Sequence, residues 1–295
     1  MCSEETSRRT PLAPAASAGT ITLGKDLPVN RLGFGAMRIT GPGIWGEPPD
    51  PPEARAMLRR AVELGVTFID TADSYGPGVS EQLIAEALYP YPSGVVIATK
   101  GGIVRPTRER WDRDCRPAHL REACDASLRR LKLERIDLYQ LHAVDDLVPF
   151  EDSVAELARL QRAGKIRHVG LSNVTAAQLE QARRIVEVVS VQNRYSVADR
   201  SSDGVLAACE RAGIAFIPWS PLSQNPNEAA SASRKALEGV ARRRGISLPQ
   251  AALAWLLARS PVMLPIPGTS QRSHLEENVA AAVVHLTADE MREIG

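Results

Sequence analysis

Short apolar, β-branched runs recur along the chain at Leu32 to Ala36, Val66 to Thr71, Val95 to Lys100, Ile136 to His142, His168 to Ser172, Val188 to Gln192, Ile214 to Trp219 and Val262 to Ile266. Runs that are apolar on both faces predict strands buried between two layers. Between them the spacing changes to the helical period, as in Leu120, Cys124, Leu128 and Leu131, or Val154, Leu157 and Leu160. Ser80 before Glu81, Thr175, and Ser247 before Pro249 read as helix starts. Eight strands, each followed by a helix, predict parallel βα units of an α/β protein, closed as a (β/α)8 TIM barrel. The competing open, doubly wound sheet calls for a GxGxxG turn after its first strand. Gly33-Phe34-Gly35-Ala36-Met37-Arg38 lacks the last glycine.

A hairpin, Thr20 to Leu23 and Leu27 to Asn30 around Gly24-Lys25-Asp26, is expected to plug the bottom of the barrel. Long loops follow strand 3 (Gly101 to Pro117) and strand 7 (Pro221 to Ser233), on the face where such barrels carry their chemistry. Residues 1–20 read as a flexible tail without the apolar core of a signal peptide, and 21–295 as one barrel domain.

Composition narrows the function more than the fold. The 36 Lys and Arg against 35 Asp and Glu leave +1, so no overall field draws the chain to nucleic acid or an anionic membrane. Cys2, Cys115, Cys124 and Cys209 form no CxxC pair, which suits a reducing, cytoplasmic compartment. The histidines have no zinc spacing, and no metal is expected.

Under the barrel reading Asp70, Tyr75, Lys100 and His142 converge at the C-terminal ends of strands 2, 3 and 4. Val95-Val96-Ile97-Ala98-Thr99-Lys100 carries an ammonium out of an apolar strand, where it needs a partner such as Asp70. An ion pair that only ties two strands together is the structural alternative. With Tyr75 alongside, a phenol that ordinarily titrates near about 10 becomes a proton donor for a carbonyl oxygen if the cation stabilises its phenolate. His142, otherwise a core histidine, stands level with Lys100 and can orient that carbonyl.

Gly65-Val66-Thr67-Phe68-Ile69-Asp70-Thr71-Ala72-Asp73-Ser74-Tyr75-Gly76 followed by Ser80-Glu81 resembles the first signature of the aldo-keto reductases. Ile97-Ala98-Thr99-Lys100, Asp137-Leu138-Tyr139-Gln140-Leu141-His142 and Gly164-Lys165-Ile166-Arg167-His168-Val169-Gly170-Leu171-Ser172-Asn173 resemble its later motifs, in order. The resemblance implies an enzyme that reduces aldehydes or ketones with NADP(H), and less readily NAD(H). Tyr75 would be the general acid, tuned by Asp70 and Lys100, with His142 at the substrate carbonyl.

It also places Ser172, Asn173 and Gln192 on the nicotinamide carboxamide, and Trp219 as the stacking aromatic. Ser220, Pro221 and Leu222 would lie near the pyrophosphate. Gly268, Thr269, Ser270, Gln271 and Arg272 would hold the adenosine phosphate, with Glu277 and Asn278 at the adenine. A helix N-cap is the structural alternative for Ser172-Asn173. Gly268 and His274 stand where many members carry Lys and Arg. Met37, Trp45 and Trp111 are candidate walls for an aromatic or medium-chain aldehyde, whereas Arg38, Arg105 and Arg108 would suit an anionic substrate. Two other functions fit parts of the pattern: a Schiff-base enzyme built on Lys100, and a nucleotide-sensing regulatory subunit. Partners are confined to a small carbonyl substrate, without nucleic acid or membrane.

Overall fold

A computed structural model describes residues 14–222 and 231–295. The chain enters through an antiparallel hairpin, β1 (Thr20–Leu23) and β2 (Leu27–Asn30), with Thr20 opposite Asn30 and Leu23 opposite Leu27. Then come β3 (Phe34–Gly35), β4 (Phe68–Asp70), β5 (Val96–Gly101), a small antiparallel ribbon of β6 (Ile103–Val104) and β7 (Asp112–Arg113), β8 (Ile136–Leu141), β9 (Ile166–Ser172), β10 (Val188–Arg194) and β11 (Ala215–Trp219). Seven of these form one parallel sheet in the order β3-β4-β5-β8-β9-β10-β11. Helices Pro51–Glu63, Val79–Leu88, Pro117–Leu131, Phe150–Arg162, Ala176–Arg183 and Asp203–Ala212 follow β3, β4, β5, β8, β9 and β10 in turn.

The expected eighth strand is not a regular strand. Pro261, Pro265 and Pro267 remove three amide donors from that segment. What remains is intermittent: the Phe216 N–H donates to Val262 O at 2.8 Å and the Leu264 N–H to Phe216 O at 2.9 Å. On the other side the Gly33 N–H donates to Pro265 O at 2.9 Å and the Gly35 N–H to Pro267 O at 3.4 Å. One segment thus bonds both edge strands, and the sheet is curled.

Inside the curl, Phe68, Val96, Ala98, Leu138, Val189, Ala215, Ile217, Leu264 and Ile266 pack with Leu23, Leu27 and Val29 of the hairpin. The hairpin therefore covers the N-terminal end of the sheet. Asp26 holds it there, accepting from Arg167 at 2.7 Å and meeting His168 Nε2 at 2.7 Å. Trp255 is fully buried between sheet and helices, stacked on Tyr195 at 6.1 Å.

Helices start at Thr175 and Ser247 as expected, and each of these residues closes a capping box. Ser80 does not cap. The helix begins at Val79 behind Gly78 in a left-handed conformation, and the buried Ser80 hydroxyl donates to Ala36 O at 3.1 Å. Order begins ahead of the expected tail boundary. Pro14–Ala18 form a 3-10 turn with Ala15 buried and its N–H on Leu64 O at 3.0 Å, because a small apolar side chain there fills the base of the helix layer. Residues 1–13 of that tail, and 223–230 of the loop after β11, lie outside the described residues.

Gly24 carries φ +61°, and a Cβ there would come within 2.6 Å of the His168 ring. Gly24→Ala should cost about 1–2 kcal/mol from the left-handed backbone and the displaced ring. Thermal unfolding should show Tm lower by a few degrees, with activity per folded molecule unchanged, since the change lies at the end of the sheet opposite the cavity.

Candidate active site

Parallel strands deliver their C-terminal residues to one face, and here that face holds the titratable side chains in contact. The Lys100 ammonium, with no solvent exposure, lies 2.6 Å from Asp70 Oδ1 and donates to Thr71 O at 2.9 Å. It also donates to Tyr75 Oη at 3.5 Å. Asp70 Oδ2 accepts from Gln140 Nε2 at 3.1 Å and from Gln192 Nε2 at 2.8 Å. Burial is the largest single influence and works against the Lys100 cation, but Asp70 and Tyr75 together outweigh it, and the lysine is held above its ordinary range. A Schiff base needs the neutral amine, so this pairing disfavours the lysine as a nucleophile.

Burial pushes the Tyr75 phenol above its ordinary range, with Lys100 acting against that and Asp70 adding to it. The sequence led us to expect a net downward pull by the cation. Desolvation is the larger effect in this pocket, and the phenol keeps its proton at neutral pH. His142 meets Tyr75 edge to face at 5.8 Å, with Nδ1 3.4 Å from Ser74 Oγ. Burial and the nearby Lys100 charge hold the imidazole well below its ordinary range, so it is neutral.

A buried brace escaped the sequence reading. Glu81 accepts from Thr99 Oγ1 at 2.6 Å and pairs with Arg130 at 2.6 Å, while the Thr71 hydroxyl donates to Ser80 Oγ at 2.7 Å. It ties the loop that carries Tyr75 to β5 beside Lys100. A buried carboxylate inside an apolar helix face was the available signal.

Asp70, Tyr75 and His142 open into a cavity of about 560 Å³. Of the residues expected at a cofactor, Ser172, Asn173, Gln192, Trp219, Ser220, Pro221, Leu222 and Gly268 line it. Asn173, at φ 58°, donates from its amide to Ser172 Oγ at 3.0 Å and to His142 O at 3.0 Å, and accepts from Trp219 Nε1 at 3.0 Å. Gly35 and Gly268 pack backbone to backbone. A Cβ on Gly268 would sit 2.6 Å from Gly35 O, which leaves no room for a lysine side chain there.

Thr269, Ser270, Gln271, Arg272, Glu277 and Asn278 are not among the lining residues. They belong to the turn and helix after Gly268, where Thr269 Oγ1 accepts the Gln271 N–H at 3.0 Å and Arg272 pairs with Glu53 at 2.9 Å. Asn278 is buried.

Met37, Ile103 and Trp111 form apolar walls, and Arg38 is the one Arg or Lys among the lining residues. Trp45 does not reach the cavity. Its ring packs against Arg105, 5.4 Å from the guanidinium carbon, which holds it behind the wall. Burial pushes the thiols of Cys115, Cys124 and Cys209 up to about 12, which makes them poor nucleophiles. No helix among the described residues is long and apolar enough to cross a membrane.

A neutral His142 in the folded chain, against an imidazole that protonates near about 6.5 when unfolded, means that stability falls as pH drops through that value. Urea titrations of wild type and His142→Gln should show wild type losing ground to the variant between about pH 7.5 and about pH 5.5.

The family model described as Aldo/keto reductase family matches residues 31–295. An uncharacterized oxidoreductase of Schizosaccharomyces pombe is 50% identical over 275 residues, covering 93% of this chain and 88% of the relative. Pyridoxine 4-dehydrogenase of Escherichia coli is 44% identical over 280 residues, covering 92% and 96%. A Klebsiella pneumoniae aldo-keto reductase solved in complex with NADPH superposes with TM-score 0.79 at 27% identity, covering 93% of both chains. The chain belongs to the aldo/keto reductase family.

Proposed function

We propose that the chain is a single (β/α)8 barrel domain that reduces aldehydes to alcohols with NADPH. The reading is carried by one observation: a fully buried ammonium stands between a carboxylate at 2.6 Å and a phenol at 3.5 Å on the floor of an open cavity. NADPH fits the residues present. The amide and hydroxyl of Asn173 and Ser172 match a carboxamide, Trp219 offers a ring face, and the glycine pair Gly35 and Gly268 leaves a cradle that any Cβ would fill.

The hydride comes from the reduced nicotinamide when it is bound. Neutral His142 donates one N–H to the carbonyl oxygen and orients it. As the C–H bond forms, the oxygen takes the proton of Tyr75 Oη, and Lys100, fixed by Asp70, stabilises the phenolate left behind. Solvent then restores the phenol. The balance is one carbonyl, one hydride and one proton in, one alcohol out.

For the substrate we propose aldehydes carried on a planar ring, the class to which the 4-aldehyde of pyridoxine belongs. Support comes from the apolar walls Met37, Ile103 and Trp111 and from the likeness to pyridoxine 4-dehydrogenase. The anionic-substrate alternative loses Arg105, whose donors are spent on main-chain carbonyls.

Tyr75→Phe keeps the ring and loses the acid. NADPH consumption with benzaldehyde should fall at least about 100-fold while NADPH still binds. Near wild-type turnover would overturn the mechanism, and Lys100→Met should fall similarly. A regulatory subunit would bind NADPH without turnover in the wild type.

Arg38 is exposed, and its side-chain stem lies 3.7 Å from the Cβ position of Gly268. We place it on a cofactor phosphate. Arg38→Ala should raise the Kd for NADPH about tenfold in a fluorescence titration. The ratio of kcat/KM for NADPH to that for NADH should exceed one. Arg272→Ala should narrow that ratio if the guanidinium leaves Glu53 for the 2′-phosphate.

A further inference from the structure

Arg105 follows the β6 strand and is 8% exposed. Its Nε donates to Arg110 O at 3.1 Å, Nη1 to Ile44 O at 3.1 Å, and Nη2 to Gly43 O at 3.2 Å and to Arg108 O. The guanidinium carbon lies 3.7 Å from the centre of the Trp111 ring and 5.4 Å from that of Trp45. No carboxylate makes an ion pair with it among the described residues. Its charge is met by four carbonyl dipoles and two indole faces.

Those carbonyls belong to two segments that are distant in sequence. Residues 43–44 follow β3, and residues 108–110 lie in the β6–β7 connection. The Ile44 carbonyl also accepts the Gly76 N–H at 3.3 Å, and the Gly46 N–H donates to Gly76 O at 3.0 Å. Gly76 is the neighbour of Tyr75. Ile44 itself has φ 58°, a conformation costly for a β-branched residue, held where one carbonyl can serve both Arg105 and Gly76.

Trp111 lines the cavity and is 40% exposed, with one face already against Arg105. An unclamped indole on a surface segment would sample several rotamers and pay for its immobilisation each time a ligand stacked on it. The clamp removes that cost in advance.

We propose that Arg105 is a positioning residue for substrate selection: it holds Trp111 as a fixed shelf for planar aromatic aldehydes and locks that shelf to the loop carrying Tyr75. The proposal rests on the reductase reading above and adds to it a residue that touches neither substrate nor cofactor. It carries a specific consequence. Loss of the clamp should weaken aromatic substrates while sparing small aliphatic ones, because only the former use the shelf.

The test compares wild type, Arg105→Gln and Trp111→Ala with NADPH and two aldehydes, benzaldehyde and propanal. In Arg105→Gln the KM for benzaldehyde should rise about five- to tenfold with kcat nearly retained. The propanal parameters, the Kd for NADPH and the pH profile should stay within about twofold. Trp111→Ala should show the same benzaldehyde-selective loss, and the double variant no more than either single one, since both remove one interaction. Arg105→Lys keeps a cation but not the four-carbonyl fork, and serves if the Gln variant does not fold; its benzaldehyde KM should rise as well. An unchanged benzaldehyde KM in a folded Arg105 variant, equal losses on both aldehydes, or additive losses in the double variant would overturn the proposal. Wild type inactive on both aldehydes would instead sink the reductase reading. Tryptophan-fluorescence titration with benzaldehyde then decides the clamp by itself, with weaker binding to Arg105→Gln expected and equal binding overturning it.

Discussion

An ammonium removed from water must be matched at once by an anion and by acceptors for its remaining protons, or it gives up its charge. Lys100 meets that demand with Asp70 and the Thr71 carbonyl, and Asp70 is in turn held by amides from Gln140 and Gln192. These five residues come from β4, β5, β8, β10 and the turn after β4. The pair therefore exists only when four parallel strands end level with one another. Removing one partner of such a pair typically costs about 3–5 kcal/mol, because the other charge is left buried. The same geometry that keeps Lys100 charged keeps a cation beside Tyr75, so the stability of the fold and the electrostatics of the phenol draw on one interaction.

Much of this was legible in the chain. Strands buried on both faces read as continuous apolar runs, and a lysine inside one of them, Lys100 after Val95-Val96-Ile97-Ala98-Thr99, is conspicuous because its burial is costly. Tyr75 and His142 were legible only relative to it. Thr175 and Ser247 were legible as helix starts, and the structure adds the Gln three residues later that completes each capping box.

The rest depends on side-chain direction, which spacing does not encode. Gln192 was placed at a cofactor by the family resemblance; it lines the cavity, and the bond from its NH2 group to Asp70 was not legible in the chain. Ser80 has the sequence signature of a cap, but a hydroxyl at that point can equally turn inward, and the carbonyl of Ala36, in the turn that follows β3, captures it. Trp45 and Trp111 are the same residue type in two loops that converge. Arg105 packs against both, and it is Trp111 that lines the cavity. The Val262 to Ile266 run shows a further limit: its apolar pattern is that of a strand, while its flanking prolines deny it a ladder.

Backbone strain follows the same division between frame and rim. Among the described residues, Ile44, Lys132, Asn173 and Ser220 are the non-glycine positions with positive φ. Lys132 is a helix C-cap, a site where that conformation is commonplace. The other three border the cavity or its clamp: the Ile44 carbonyl accepts the Gly76 N–H from the loop after β4, the Asn173 N–H donates to the Gln192 carbonyl of β10 at 3.0 Å, and Ser220 directly follows β11. Left-handed conformations at such residues persist only where the surroundings over-determine them. A sheet bonded along its length and filled with side chains can do this, and a loop by itself cannot. The frame thus lets the rim adopt conformations that aim the Ile44 carbonyl and the Asn173 amide at fixed points. Differences in substrate among proteins on this frame are then expected to arise at rim positions, where a change of one side chain leaves the buried ion pair untouched.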